Sequence, residues 1–181
     1  MVIETEVKIR IESTEAFIGH VISHGAKRVS ERSLEDNVLF DFPDGSLRLA
    51  RCVLRVRSVA GRGVLTYKGA PMPDVIFKSR EELETGVENP ETAIAVFERI
   101  GLLKRFRYQK YRQEFTLDDV HIAVDETPIG NYAELEGAQD DILSLSAKLD
   151  IAESQFISQS YHALYLDYCS ERGIAPLAMI F

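Results

Sequence analysis

Glu4-Thr5-Glu6-Val7-Lys8 sets two acids and a base at alternate positions. In an extended chain alternate side chains share a face, so Glu4, Glu6, Lys8 and Arg10 point one way while Ile3, Val7, Ile9 and Ile11 point the other. Carboxylates on such a face suit a hard divalent cation, and Lys and Arg suit a polyanion. Alone, the pattern is more readily that of a half-exposed antiparallel strand with its charges in water. Recurrence separates the two. The same period of two gathers Arg55 and Arg57; Lys68; Lys78, Arg80, Glu82 and Glu84; Lys110, Arg112 and Glu114; Asp125; and Glu134 and Glu136. Their strand neighbours are mostly apolar: Leu54 and Val56, Leu83, Ile122 and Val124, Leu135.

The elements that must carry these residues follow from breakers and periodicity. An extended Met1 to Ile11 precedes a helix over about 14 to 24, capped by Ser13, with Phe17, Ile18, Val21 and Ile22 as its apolar stripe and Gly25 as its stop. Strands are predicted at Lys27 to Ser30 and Leu34 to Phe42, followed by a turn at Pro43-Asp44-Gly45. A run from Ser46 to Val59 is joined through Gly61-Arg62-Gly63 to Val64 to Gly69 as a hairpin. Beyond Pro71 and Pro73, Val75 to Val87 reads as extended. Asn89-Pro90-Glu91 opens a helix that reaches about Ile100, with Gly101 after it. Leu103 to Leu117, Val120 to Glu126 and Asn131 to Gly137 are predicted strands, and helices are predicted over about 139 to 149 and 153 to 171. Strands with one helix among them and helices at the end give an α+β fold, read as a single domain over 1–181.

A long antiparallel sheet of about eight strands tends to close, because closure removes its edges. With helices packed outside, the charged face becomes the wall of a tunnel and the apolar face becomes the core. Unpaired interior charge is prohibitively costly, so phosphate, metal and protein would have to compensate one another. The chain has 181 residues, 45% hydrophobic and 28% charged, and a net charge of −8, which gives no overall electrostatic reason to bind nucleic acid or an anionic membrane. No apolar run is long enough for a membrane span and the start has no leader pattern, so a cytoplasmic location is expected. Cys52 and Cys169 fit no metal or redox spacing and read as ordinary reduced thiols. His20, His24, His121 and His162 are scattered, with no third ligand near the first pair, which argues against zinc.

The ordered motifs resemble the CYTH superfamily, the triphosphate tunnel metalloenzymes. Glu4-Thr5-Glu6-Val7-Lys8 matches that family's Glu-x-Glu-x-Lys signature. Leu54-Arg55-Val56-Arg57, Leu65-Thr66-Tyr67-Lys68-Gly69, Lys78-Ser79-Arg80-Glu81-Glu82-Leu83-Glu84, Lys110-Tyr111-Arg112, Val124-Asp125-Glu126 and Glu134-Leu135-Glu136-Gly137 follow in order. Resemblance spans about residues 2 to 170. Leu-Thr-Tyr-Lys-Gly, Lys-Ser-Arg-Glu-Glu and the stretch from Asp36 to Asp41 look most like the class IV adenylyl cyclase branch.

The resemblance implies a closed eight-stranded antiparallel β-barrel that binds a triphosphate-bearing small molecule with Mg2+ or Mn2+. Carried over, Lys8, Arg55, Arg57, Lys68, Lys78, Arg80, Lys110 and Arg112 would hold phosphate oxygens. Glu4, Glu6, Glu134, Glu136 and Asp125 would carry metal, and Lys8, Arg57, Lys110 and Asp125 would serve catalysis. Glu82 matches the central strand without a defined role. Glu84, Glu114 and Arg10 share the face by parity and read as structural or as mouth residues, and Tyr67, Tyr111 and Tyr132 are expected to pack outward. The expected partner excludes nucleic acid and membrane, and leaves room for a homodimer. Family chemistry runs either to cyclisation of ATP to cyclic AMP and pyrophosphate or to hydrolysis of inorganic, nucleoside or thiamine triphosphate. A thiamine ring would favour Trp, and the chain has none. A non-catalytic polyphosphate or nucleotide binding module is the opposing class, but binding a polyanion needs only bases, and here the acids are present too.

Overall fold

The computed structural model describes residues 2–73 and 76–181; Met1 and the expected strand start at Val75 lie outside the described residues. Eight strands, β1 (Val2–Ile11), β2 (Lys27–Asp41), β3 (Val53–Val59), β4 (Arg62–Lys68), β5 (Lys78–Val87), β6 (Leu103–Leu117), β7 (Val120–Thr127) and β8 (Gly130–Glu136), close into an antiparallel barrel in the order β1-β5-β4-β3-β2-β6-β7-β8. Register puts the charged positions side by side around the circumference: Glu4 opposite Arg80, Glu6 opposite Lys78 and Glu136, Lys8 opposite Glu134, Arg112 opposite Asp125, and Lys68 opposite Glu82. Because side chains alternate, the whole charged set shares the inner face.

The outer face is largely apolar and is covered by helices around much of the barrel, while Leu83 of β5 and Ile3 of β1 stay exposed. Helices α1 (Thr14–Ser23) and α4 (Gln139–Lys148) pack over Val7, Phe115, Ile122 and Leu135, while α3 (Pro90–Arg99) lies against Val38, Phe40 and Val56. Ser13 caps α1 by accepting from the Ala16 N–H at 3.1 Å, and Asn89 caps α3 by accepting from the Thr92 N–H at 2.8 Å. Among the described residues no helix is long and apolar enough to cross a membrane.

Four local expectations differ from the structure. Residues 27–41 form one strand, with register shifts between Arg28 and Ser33 absorbing what reads in sequence as a break. Ser46–Leu49 form a short helix, α2, in place of strand, because the Asp41 carboxylate accepts the backbone N–H groups of Phe42, Leu47 and Arg48 at 2.8, 2.9 and 3.1 Å and coils that segment around itself. The hairpin turn is Ala60-Gly61, both at positive φ, which leaves Arg62 and Gly63 inside β4. Last, the helix expected from 153 is a 3-10 turn at Glu153–Gln155 followed by extended chain, and α5 (Tyr161–Arg172) begins only afterwards. Ile157 supplies the reason: β1 outlasts β5, and Ile157 exchanges backbone hydrogen bonds of 3.1 and 2.7 Å with Lys8 along that free edge. α5 is also the exception to helices packing outside. Its Tyr161 and Tyr165 join Phe106, Tyr108 and Tyr132, so it packs along one end of the barrel and inserts the Tyr161 ring into the interior.

Leu135 sits fully buried on the outer wall between Glu134 and Glu136. Leu135→Ala should cost about 2–5 kcal/mol, read by equilibrium urea denaturation. A loss under about 0.5 kcal/mol would mean that the apolar face does not hold the wall in place.

Candidate active site

The strand alternation produces a charged cavity of about 1040 Å³ running through the barrel. Lys8, Arg55, Arg57, Lys68, Lys78, Arg80, Lys110 and Arg112 line it together with Glu4, Glu6, Glu82, Glu84, Glu134 and Glu136. Every base in this set but Arg80 meets a carboxylate. Lys8 is 2.8 Å from Glu134; Lys68 is 2.6 Å from both Glu4 and Glu82; Lys78 pairs with Glu6. Arg55 and Arg57 both reach Glu84, at 3.3 and 3.4 Å.

Burial governs the electrostatics. Burial alone would raise Glu6, but Lys78, with Lys8 and Lys68, overcomes it and holds the carboxyl at about 2. Its partner Lys78 is pulled down rather than up, since burial and the neighbouring Lys8 and Arg80 outweigh Glu6. Glu134 is held well below the usual carboxylate range against burial by Lys8, Arg112 and Lys110. Glu136 is the reverse case: burial first, then the charges of Glu4 and Glu6, push its carboxyl up to about 7. A cation beside these three acids would relieve that repulsion.

Such an all-oxygen donor set fits a hard divalent ion. Among the described residues, however, no three acids, histidines or cysteines are close enough to grip an ion as they stand. Glu4 and Glu6 are tied to Lys68 and Lys78, so ligation requires those lysines to let go.

Asp125 stands apart from its expected place in a metal set. It is fully buried, and both oxygens are engaged: Arg112 donates to them at 2.7 and 2.6 Å, Lys110 donates at 3.0 Å and the Tyr161 hydroxyl at 2.6 Å. Four donors leave it no free edge for a cation, and its geometry is that of an anchor for the two bases. Tyr132 also departs from expectation. It shares parity with Glu134 and lies opposite Asp125 and Arg10, so it is on the inner side, with its ring 5.5 Å from that of Tyr161. Tyr67 and Tyr111 do pack outward, Tyr67 donating to Cys52 at 3.4 Å and Tyr111 lying 3.6 Å beneath Arg32. Glu114 lines the cavity beside His121, and Arg10 is exposed over the Tyr132 ring.

Three participants went unread in the sequence. Glu35, buried on β2, accepts from Arg57 at 3.3 Å and lies 3.7 Å from Lys110. Its parity with Asn37 and Leu39, opposite Arg57 and Arg55, was the available signal. Thr66 donates to Glu84 at 2.6 Å and fixes that acid between the two arginines. Tyr161 arrives from α5, its ring 4.5 Å from the Lys8 ammonium and 5.1 Å from that of Lys110, and no local pattern marks it.

A closed eight-stranded antiparallel barrel with an ion-paired inner wall defines the class of fold. Residues 2–161 match the CYTH domain, and the chain belongs to that family. A Methanocaldococcus jannaschii protein named a "putative adenylate cyclase" is 28% identical over 170 residues, covering 88% of this chain and 96% of that protein. A Vibrio parahaemolyticus structure described in the same words superposes with a TM-score of 0.78 at 21% identity, over 89% of this chain and 96% of its own. A Hippeastrum protein, described as a "putative adenylyl cyclase" that reveals a dominant triphosphatase activity, shares the fold at a TM-score of 0.65 and 16% identity, over 97% of each chain.

The Glu35 carboxyl, like that of Glu6, sits at about 2, because Lys110, Arg112 and Arg57 overcome its burial. A folded-state value below the unfolded one gives stability that is present above about 4.5 and lost as pH falls toward 2. Denaturation series between pH 6 and pH 2.5 should show that loss, with a shallower slope in Glu35→Gln. An unchanged slope would mean that Glu35 is not held ionised by these bases.

Proposed function

We propose that this chain is a divalent-metal-dependent enzyme that acts on a triphosphate held in the tunnel, as a class IV adenylyl cyclase converting ATP to cyclic AMP and pyrophosphate. The observation that carries this reading is the inner wall itself, where bases enough for three phosphates alternate with carboxylates suited to Mg2+ or Mn2+. A bound divalent ion would supply Lewis-acid stabilisation of phosphoryl charge, with Glu4, Glu6 and Glu136 to hold it and Glu134 beside them.

The protein's own residues then position and neutralise. Arg55 and Arg57 present planar guanidinium groups from one strand face, and Lys8, Lys68, Lys78, Arg80, Lys110 and Arg112 complete the cage around the phosphate oxygens. Lys8, Arg57 and Lys110 are assigned to the charge that builds in the transition state, and Asp125 acts through Lys110 and Arg112 by fixing their direction. Glu82 and Glu84 occupy Lys68 and the two arginines until phosphate displaces them. In cyclisation the ribose 3′ hydroxyl loses its proton to solvent and its oxygen forms a bond to the first phosphorus as the bond from that phosphorus to the bridging oxygen breaks, and the caged pyrophosphate leaves with the electron pair.

Hydrolysis is the second reading, favoured by the triphosphatase activity described for the Hippeastrum protein and by chemistry that asks only for water at the terminal phosphorus. Incubating ATP with Mg2+ or Mn2+ and resolving the products separates them: cyclic AMP with pyrophosphate supports cyclisation, ADP with phosphate supports hydrolysis. Neither product, with no phosphate released from inorganic or thiamine triphosphate, would contradict both.

Two substitutions test the cage on whichever substrate turns over. Arg57→Lys should lower kcat/KM at least about tenfold, roughly 1.4 kcal/mol of transition-state binding, because an ammonium cannot reproduce the two-pronged contact. Glu6→Gln should cripple turnover, and excess chelator should abolish it. Full activity in chelator would end the metal reading.

A further inference from the structure

The tunnel wall is paired, yet its two mouths differ in sign. At one mouth Glu114 and Glu136 flank His121, at 3.7 and 4.0 Å. At the other, Arg48 and Arg51, within and just after α2, line the cavity with Arg80 of β5, and among the described residues none of the three makes an ion pair. Arg80 is only 8% exposed, and its buried Nε has no hydrogen-bond partner. Burial pulls its guanidinium down from the usual value against the charges of Glu6 and Glu4, and the charge of Arg51 adds to the fall. Of the two acids at this mouth, Asp41 already accepts three backbone N–H groups and Asp44 accepts one, from Ser46 at 3.0 Å.

Arg105, Asp41 and Asp44 share this mouth, and apolar side chains fill part of its wall. Leu39 and Val53 line it, together with Phe106, whose ring lies 4.4 Å from that of His162. The cavity's roughly 1040 Å³ is also large for a phosphate chain alone; pockets that bury a whole organic ligand run to roughly 300–1,000 Å³. Resting on the reading of the tunnel as a triphosphate cage, we propose that this mouth is the subsite for the substituent the triphosphate carries, and that Arg48 and Arg51 select a neutral planar ring, such as a nucleobase, over a cationic one, such as thiazolium.

Two physical reasons support that selection. A guanidinium stacks on the face of a neutral heteroaromatic ring, and apolar neighbours such as Leu39 and Phe106 favour the same flat group. A ring with a fixed positive charge meets an excess of like charge in a half-enclosed space, where repulsion is stronger than in water. Rejection of the wrong substituent here comes from arginines that outnumber the acids at the mouth and pair with none of them.

The test measures dissociation constants for ATP, thiamine triphosphate and inorganic triphosphate, with Mg2+, on the wild type and on an Arg48→Glu/Arg51→Glu variant. Both side chains are exposed, so the exchange leaves the core untouched. Wild type should bind ATP at least about tenfold tighter than thiamine triphosphate, and the variant should shrink that ratio at least about tenfold. Inorganic triphosphate, which has no substituent, provides the normalisation. Weakening of all three ligands by one factor would overturn the subsite, since the arginines would then merely attract polyanions. Equal wild-type affinity for ATP and thiamine triphosphate, with inorganic triphosphate bound, overturns the subsite alone. Failure of inorganic triphosphate to bind overturns the cage and the subsite together.

Discussion

Buried charge must be compensated, and the inner wall of this barrel meets that demand by pairing acids with bases on strands one or two places apart. Lys8 with Glu134, Lys68 with Glu4 and Glu82, Lys78 with Glu6, and Lys110 and Arg112 with Asp125 are all cross-strand contacts set by register. Removal of one member leaves the other uncompensated in a site of low polarisability, a cost of about 3–5 kcal/mol for a buried pair. Closure of the sheet, the apolar outer coat and the helices that cover it hold this lattice of charges in one arrangement.

The same pairing explains how such a wall could take up a ligand without passing through a state of bare charge. On the proposed reading, phosphate oxygens replace carboxylates around the lysines and arginines, while a divalent ion replaces lysines around the carboxylates. Each exchange makes the other favourable, so polyanion and cation should enter as coupled partners. Asp125 stays out of the exchange: four donors hold it, and Tyr161 is pushed well above the ordinary tyrosine range by burial and by Asp125 and Glu134, so its hydroxyl remains a donor. A fixed anchor beneath movable pairs keeps Lys110 and Arg112 aimed while their neighbours change partners.

Much of this was legible in the chain because strand periodicity and charge coincide. Glu4, Glu6 and Lys8 share a face by the simplest rule of extended backbone, and Arg55, Arg57, Lys110, Arg112, Glu134 and Glu136 follow it on their own strands. What resisted reading depends on contacts distant in sequence. Tyr161 reaches the interior because α5 packs along one end of the barrel, and α5 starts late because Ile157 fills the edge of β1 beside Lys8. The α2 turn exists because Asp41 gathers three backbone donors, a role indistinguishable in sequence from that of any strand-end acid. Tyr132, by contrast, was a matter of counting, since it has the parity of Glu134, and its placement inside follows from register alone.

The exchange of partners is tested most directly by a crystal structure with a non-hydrolysable ATP analogue and Mn2+, using anomalous scattering to place the metal. The account predicts phosphate oxygens on Lys8, Arg55, Arg57 and Lys110, Mn2+ on carboxylates of the Glu4, Glu6 and Glu136 group, and the Lys78–Glu6 and Lys68–Glu4 pairs opened. Phosphates bound outside the barrel, or a bound analogue with every one of those pairs intact and no metal on the glutamates, would contradict it.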